Sequence, residues 1–176
     1  METMTIRPAA ATDVTAISAL IGSLMPYLTL HPDGRGAEKF IASMAPAALA
    51  RYVTEPNYHY LAGCIDGQLV GVAALRDGSH VFHLFVTPAW HRRGLASQLW
   101  LALLEAAQAG PAPALTVNAS RMAIGFYQRR GFSATEPVIE NLEHGIAYQP
   151  MRLLLPRAQA GAPKGGPIGL SSGLPK

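Results

Sequence analysis

The sequence is poor in cysteine, poor in charge and free of long apolar runs. A single cysteine, Cys64, excludes an internal disulfide and suits a reducing, cytoplasmic compartment. Charged residues make up only 14% of the 176, and the net charge is +3. That balance, with a pI near 9.2, is weakly basic. No stripe of Lys and Arg interleaved with aromatics accompanies it, which argues against a nucleic-acid partner. The opening METMTIRPAAATDV has no apolar signal core, and no segment reads as a membrane span. No repeat of solenoid length is present. The patterns G-x-x-x-x-G-K-[ST] and G-x-G-x-x-G are both missing, so neither P-loop nor dinucleotide chemistry is supported. No metal site is expected. His80 and His83 lie three apart on one strand, where side chains alternate, so they face opposite sides unless a bulge intervenes.

What is present is a 49% hydrophobic chain of single-domain length. Residues 4–7 read as a short strand ended by Pro8. Thr12 or Asp13 then caps a helix with Val14, Ile17, Leu20, Ile21 and Leu24 at helical spacing. A loop rich in proline and glycine leads to a second helix near 37–51, which Pro46 kinks or splits. Strands at 58–65, 68–76 and 79–87 are separated by Asp66-Gly67 and Asp77-Gly78. Such pairs supply the positive φ of tight hairpin turns, so the three strands form an antiparallel meander. Leu95, Leu99, Leu103 and Ala106 mark a helix closed by Gly110. A strand at 114–118, a short helix capped by Ser120 and running to Arg130, and a last strand at 146–155 complete the order β-α-α-β-β-β-α-β-α-β. This is an α/β sandwich around a mixed sheet. Residues 1–155 would form the domain and 156–176, rich in Gly, Pro, Ala and Ser, a flexible tail. The tail's Gly169-Leu170-Ser171-Ser172-Gly173 fits the hydrolase pattern G-x-S-x-G by chance, because that turn must join a strand to a helix.

The stretch TPAWHRRGLASQLW concentrates charge before a helix. His91, Arg92 and Arg93 precede Gly94, Leu95 and Ala96. A helix start carries unpaired N–H groups and partial positive charge, Gly94 permits close approach, and arginine adds full charge. The combination suits an anion such as pyrophosphate as well as it suits a solvated basic helix start.

The run LFVTPAWHRRGLASQLW resembles motif A of the GNAT superfamily of N-acetyltransferases: a strand ending V-x-P, then [QR]-x-x-G-x-[GA] opening a helix. His91, Gly94 and Ala96 fall on its three defining positions, His91 departing from the usual Gln or Arg. LTVNASRMAIGFYQRRGF is similar to the family's second signature, A-x-x-[FLI]-Y-x-x-x-G-F, through Ala123, Phe126, Tyr127, Gly131 and Phe132. Ser120 stands where an Asn is usual, with Asn118 two residues earlier.

The resemblance implies a mixed, mostly antiparallel sheet of six to seven strands flanked by about four helices. It also implies acetyl-CoA as co-substrate in a cleft between the fourth and fifth strands. The pyrophosphate would lie on backbone N–H groups of His91, Arg92, Arg93, Gly94, Leu95 and Ala96, with Ser97 beside them. The pantetheine arm would follow Leu84, Phe85 and Val86, with Asn118 and Tyr127 nearby. Tyr127 would be the acid that protonates the leaving thiolate. His80 or His83 would be the base, or a chain of waters would carry the proton with neither essential. One of the two at least is expected to be a hydrogen-bonded strand histidine. The acceptor would be a small-molecule or peptide amine, met by His31, Asp33 and Arg35 or by Glu136, Glu140, Glu143 and His144. Arg121, Arg129 and Arg130 would reach the phosphates or face solvent. A homodimer is compatible with the family, as is a non-catalytic acyl-CoA sensor on the same fold.

Overall fold

The computed structural model describes residues 3–156. The Gly/Pro-rich tail beyond Pro156, with its G-x-S-x-G match, lies outside the described residues. Eight strands form one sheet: β1 (Thr5–Pro8), β2 (Tyr58–Ile65), β3 (Gln68–Arg76), β4 (His80–Val86), β5 (Ala114–Ser120), β6 (Ser133–Ala134), β7 (Ile139–Asn141) and β8 (Ile146–Leu154). Their path is β1-β2-β3-β4-β5-β8-β6, with β7 also on β8. Every pairing is antiparallel except β4 with β5. The five α-helices are α1 (Val14–Leu28), α2 (Glu38–Ala42), α3 (Pro46–Tyr52), α4 (Leu95–Ala109) and α5 (Ile124–Gln128).

Local chemistry accounts for most of these elements. In the β2–β3 turn Asp66 and Gly67 have φ of 49° and 78°, and Asp77 and Gly78 after β3 have 54° and 67°. Both pairs are therefore left-handed, which matches the twist of the strands they join. The expected helix at 37–51 is split in two, because Pro46 cannot continue a helix but starts α3 well at its first position. Ser120 does not cap by side chain. It ends β5 in extended geometry, and a 3-10 turn at Arg121–Ala123 leads into α5. Asp13 stands before α1, but its carboxylate accepts from the Ala10 N–H at 2.7 Å and pairs with both Arg7 guanidinium nitrogens. The sheet has two strands that sequence periodicity missed, β6 and β7. Both are only two or three residues long and exist by pairing with β8.

Two cores lie on opposite faces of the sheet. One holds α4 through Leu95, Leu99, Trp100 and Leu103, with Leu61, Ala73, Leu75, Val117 and Met151 from the strands and Tyr127 and Phe132 beyond them. The other holds α1 and α3 through Val14, Ile17, Leu20, Ile21, Leu24 and Leu49, against Tyr60, Val72 and Ala74. The Ala11–Leu28 segment is apolar and long enough to qualify by composition as a membrane span. Its apolar face is the one that covers this second core.

Gly63 and Gly71, which are paired across β2 and β3, form the trough in which Leu99 sits. A Cβ on Gly71 would stand 2.8 Å from Leu99 Cδ1 and 3.2 Å from the Phe85 carbonyl oxygen. Overpacking of this kind costs roughly 1–3 kcal/mol. Gly71→Ala should accordingly lower the melting temperature by several degrees, at roughly 2–4 °C per kcal/mol for a chain of this size. An unchanged Tm would show that α4 does not lie this close to the sheet.

Candidate active site

The site begins with a fault in the sheet. Along β3, Ala74 is opposite His83 and Leu75 is opposite Val81, so Phe82 is an extra residue in β4. This bulge puts Phe82 and His83 on the same face, their rings stacked at 4.2 Å. By alternation on either side of it, His80 and Phe85 share that face. The opposite-face expectation for His80 and His83 therefore fails, for the reason that was its stated exception. The bulge also bends β4 away from β5. Only His80 with Thr116 and Val81 with Val117 are paired, and beyond them the two parallel strands separate.

A cavity of about 700 Å³ fills the fork. It is lined from the α4 face by Leu84, Ala96, Val117, Ala119 and Tyr127, and from the α1 face by Leu24, Met44, Tyr52, Phe82 and His83. It thus passes through the sheet and joins the two sides.

On the α4 side, the loop before the helix alternates into left-handed geometry twice, at Arg92 (φ 59°) and Gly94 (φ 78°). Successive N–H groups in such a loop converge into an anion-binding concavity. No side chain caps α4, so its first N–H groups add to it. His91 folds back, its Nε2 donating to the Val86 carbonyl at 2.7 Å, which ties the loop to the end of β4. The Arg93 guanidinium lies 4.6 Å from the Trp90 ring centre. Leu95 is buried in the core, so only its backbone is available to a ligand. Ser97 Oγ accepts from the Arg130 guanidinium, which also bonds the Phe126 carbonyl at 3.0 Å and covers the Phe126 ring. Arg130 thereby joins α5 to the first turn of α4. Of the residues expected at the cofactor, Leu84, Phe85, His91, Ala96, Asn118 and Tyr127 line the cavity, whereas Val86, Arg92, Arg93, Gly94, Leu95 and Ser97 lie outside its walls.

Tyr127 is held between Phe126 and Phe132 by edge-to-face contacts. Burial raises its phenol above the usual range, against a smaller lowering by the Arg130 charge, so it keeps its proton at neutral pH. His80 is half-buried, with Nδ1 2.8 Å from Thr116 Oγ1. Burial, helped by the Arg76 charge, lowers its pKa to about 4. His83 is 2% exposed, and burial lowers it to about 3. Its Nδ1 is 2.7 Å from the Tyr60 hydroxyl, itself raised by burial. Among the described residues, His83 Nε2 is the only buried side-chain nitrogen or oxygen without a partner. Both rings are neutral at pH 7.

The loop residues proposed for the acceptor are placed elsewhere. Asp33 accepts from the Arg35 N–H and Arg35 reaches His31, and none of the three lines the cavity. Glu140 pairs with Arg121 at 2.7 Å and Glu143 with Lys39, while Glu136 and Arg129 are exposed. Only His144 of that group lines the cavity, its Nδ1 3.2 Å from Asn141 Oδ1. Sequence reasoning missed Tyr60 and Thr116, the partners of the two histidines. It also missed the walls built by Leu24, Phe40, Met44, Tyr52 and Tyr148.

Residues 28–155 match the model of the acetyltransferase (GNAT) domain. The chain therefore belongs to the GNAT family of acyl-CoA-dependent acetyltransferases. It resembles a GCN5-related N-acetyltransferase from Rhodopseudomonas palustris at 26% identity and TM-score 0.76, over 88% of this chain and 98% of that one. PaiA N-acetyltransferase from Thermoplasma acidophilum, solved with coenzyme A, shares the fold at 13% identity and TM-score 0.71, over 87% and 99% of the two chains. So does YncA from Salmonella typhimurium, a putative acetyltransferase solved with acetyl-CoA, at 19% identity and TM-score 0.62, over 93% and 99%. No curated protein matches the chain in sequence.

The buried histidines make stability depend on pH. Their folded pKa values, about 3 and about 4, lie below the ordinary 6.5 that the unfolded chain regains. The unfolded state therefore binds more protons between these limits, and stability falls as pH drops from about 6.5 towards 3. The double variant Tyr60→Phe/His83→Phe removes one of the two groups without orphaning a phenol. Its melting temperature should fall less between pH 7 and pH 4.5 than that of the unaltered protein. Equal losses would mean that His83 is not held neutral.

Proposed function

We propose that the protein transfers the acetyl group of acetyl-CoA directly to a primary amine. The observation that carries this is one cavity that runs through the β4–β5 fork, with Tyr127 and the end of the anion cradle on one side and His80 and His83 on the other. The residues suit the co-substrate. The cradle of His91, Arg92, Arg93, Gly94, Leu95 and Ala96 would hold the pyrophosphate through backbone N–H groups, with Ser97 beside it. The β5-facing edge of β4 at Leu84, Phe85 and Val86, left without a strand partner by the fork although His91 takes the Val86 carbonyl, would pair with the amide-bearing arm. Acetyl-CoA supplies the activated acyl group.

The amine must enter neutral, since an alkylammonium of pKa about 10.4 has no lone pair to attack with. As the N–C bond forms and the C–S bond breaks, the amine sheds a proton and the thiolate needs one. Tyr127 donates to the sulfur and is reprotonated from solvent; its raised pKa means that the proton is present when required. His80 is the better placed acceptor of the amine's proton. It stands at the fork, partly open, and with Nδ1–H donating to Thr116 its Nε2 would take the proton and pass it to water. His83 suits a different role. With the Tyr60 hydroxyl donating to Nδ1, His83 Nε2 would carry the ring hydrogen and stand as a donor for a bound group. A domain of residues 1–155 in a reducing cytoplasm is consistent with one unpaired thiol, Cys64.

Calorimetry should give a micromolar Kd for acetyl-CoA. Gly94→Val should weaken it at least tenfold, because a β-branched residue is strained at φ 78° and fills the concavity. Tyr127→Phe should keep the Kd and lower kcat by roughly 10²–10⁴, the usual worth of a general acid. Retained turnover in Tyr127→Phe would remove the tyrosine from the mechanism. The pH–rate profile should rise with the ionisation of the acceptor amine and show no inflection near 6.5, because neither histidine titrates there. An inflection at 6.5 that His80→Gln abolishes would contradict the low pKa.

A further inference from the structure

Resting on the acetyl-transfer reading, we infer the class of acceptor: a small monoamine with a flat aromatic body and no second positive charge. The α1 side of the cavity carries the argument. Its walls include Leu24, Phe40, Met44, Tyr52, Phe82 and Phe85, apolar or aromatic side chains that outnumber polar ones such as Ser43 and Arg76 in the lining. Tyr52 meets Phe82 edge-on at 4.9 Å, and Phe82 stacks on His83, so a cluster of rings lines the pocket. An aromatic guest gains from either geometry beyond simple area burial.

Charge points the same way. Among the described residues, no aspartate or glutamate lines the cavity. The nearby carboxylates are engaged by cations of the chain itself: Asp77 with Arg76, Glu140 with Arg121 and Glu143 with Lys39. The one arginine in the lining is Arg76, which lies 5.4 Å from the Phe82 ring centre. A diamine or polyamine would bring a second ammonium beside Arg76, whose own partner is Asp77, and no carboxylate in the lining would be left to pair with it. An unpaired charge in such a setting is expensive to desolvate. A neutral amine on an aromatic frame carries no such cost.

The shape disfavours a long peptide. Residues 29–37 and the β7–β8 connection, whose flanking elements form two walls, are tied together. Leu30 N–H donates to the Gly145 carbonyl at 2.8 Å, Thr29 bridges to Ile146, and Lys39 pairs with Glu143. These contacts brace two walls of the cavity against each other, which favours a short acceptor over a polypeptide threaded between them.

The test compares 2-phenylethylamine, 1,4-diaminobutane and trialanine as acceptors, reading CoA thiol release, with acetyl-CoA binding measured separately by calorimetry. The expected result is a kcat/KM for 2-phenylethylamine at least a hundredfold above both others. Ser43→Asp, which places a carboxylate on the half-exposed wall, should narrow the gap to the diamine at least tenfold. Equal or better turnover of the diamine or of trialanine overturns the proposal, as does no turnover of 2-phenylethylamine by protein that binds acetyl-CoA. Failure to bind acetyl-CoA at all is a separate outcome, which removes the acetyl-transfer reading and this one with it.

Discussion

The fork between β4 and β5 depends on one extra residue. Phe82 cannot be accommodated in the ladder with β3 without bending β4, and once β4 bends, its parallel pairing to β5 stops after two residue pairs. The opening through the sheet, the shared face of His80 and His83, and the free edge of β4 all follow from that single insertion. Bulges of this kind are local kinks with fixed geometry, so the cleft is part of the folded state and does not wait for a ligand to create it.

The separated strands are held at a set distance by contacts on both faces. On the α4 side, Arg130 bonds Ser97 and covers Phe126, so α4 and α5 cannot move apart independently. On the α1 side, the contacts of Leu30 and Thr29 with Gly145 and Ile146 join the first helical layer to β8, which is itself paired to β5. Gly145 sits so close to Gly36 that a Cβ there would be 2.4 Å from the Gly36 carbonyl oxygen. The close approach of these two backbones requires glycine on sterics alone, besides its φ of 62°.

Much of the fold was legible because it rests on local chemistry. The two Asp-Gly turns, the split at Pro46, the apolar stripe of α1 and the left-handed Gly94 before α4 are each fixed by a few neighbouring residues. The family signature was legible for the same reason. What escaped was set by pairing at a distance. β6 and β7 are too short to show a period and are strands only because β8 is beside them. The Phe82 bulge has no signal in HVFHLFV, and with it went the true face of His83. The hydrogen bonds from Tyr60 and Thr116 join residues 23 and 36 positions away from their histidines. The walls of the cavity on the α1 side come from α1, α2, α3 and β8, which meet only after the sheet has formed. Two of the acidic residues that looked available in the sequence, Glu140 and Glu143, are paired with Arg121 and Lys39, which no spacing rule foretells.

A free strand edge is ordinarily a hazard, since its unpaired N–H and C=O groups can template pairing with another chain. Proteins usually blunt such edges with charge, proline or a covering element. Here the free edge of β4 lies in the middle of the sheet, between β5 on one side of the opening and the helices on both faces. A neighbouring molecule would have to enter the cleft to reach it. The chain can therefore keep an apolar strand edge open to a slender ligand and still be shielded there from edge-to-edge aggregation.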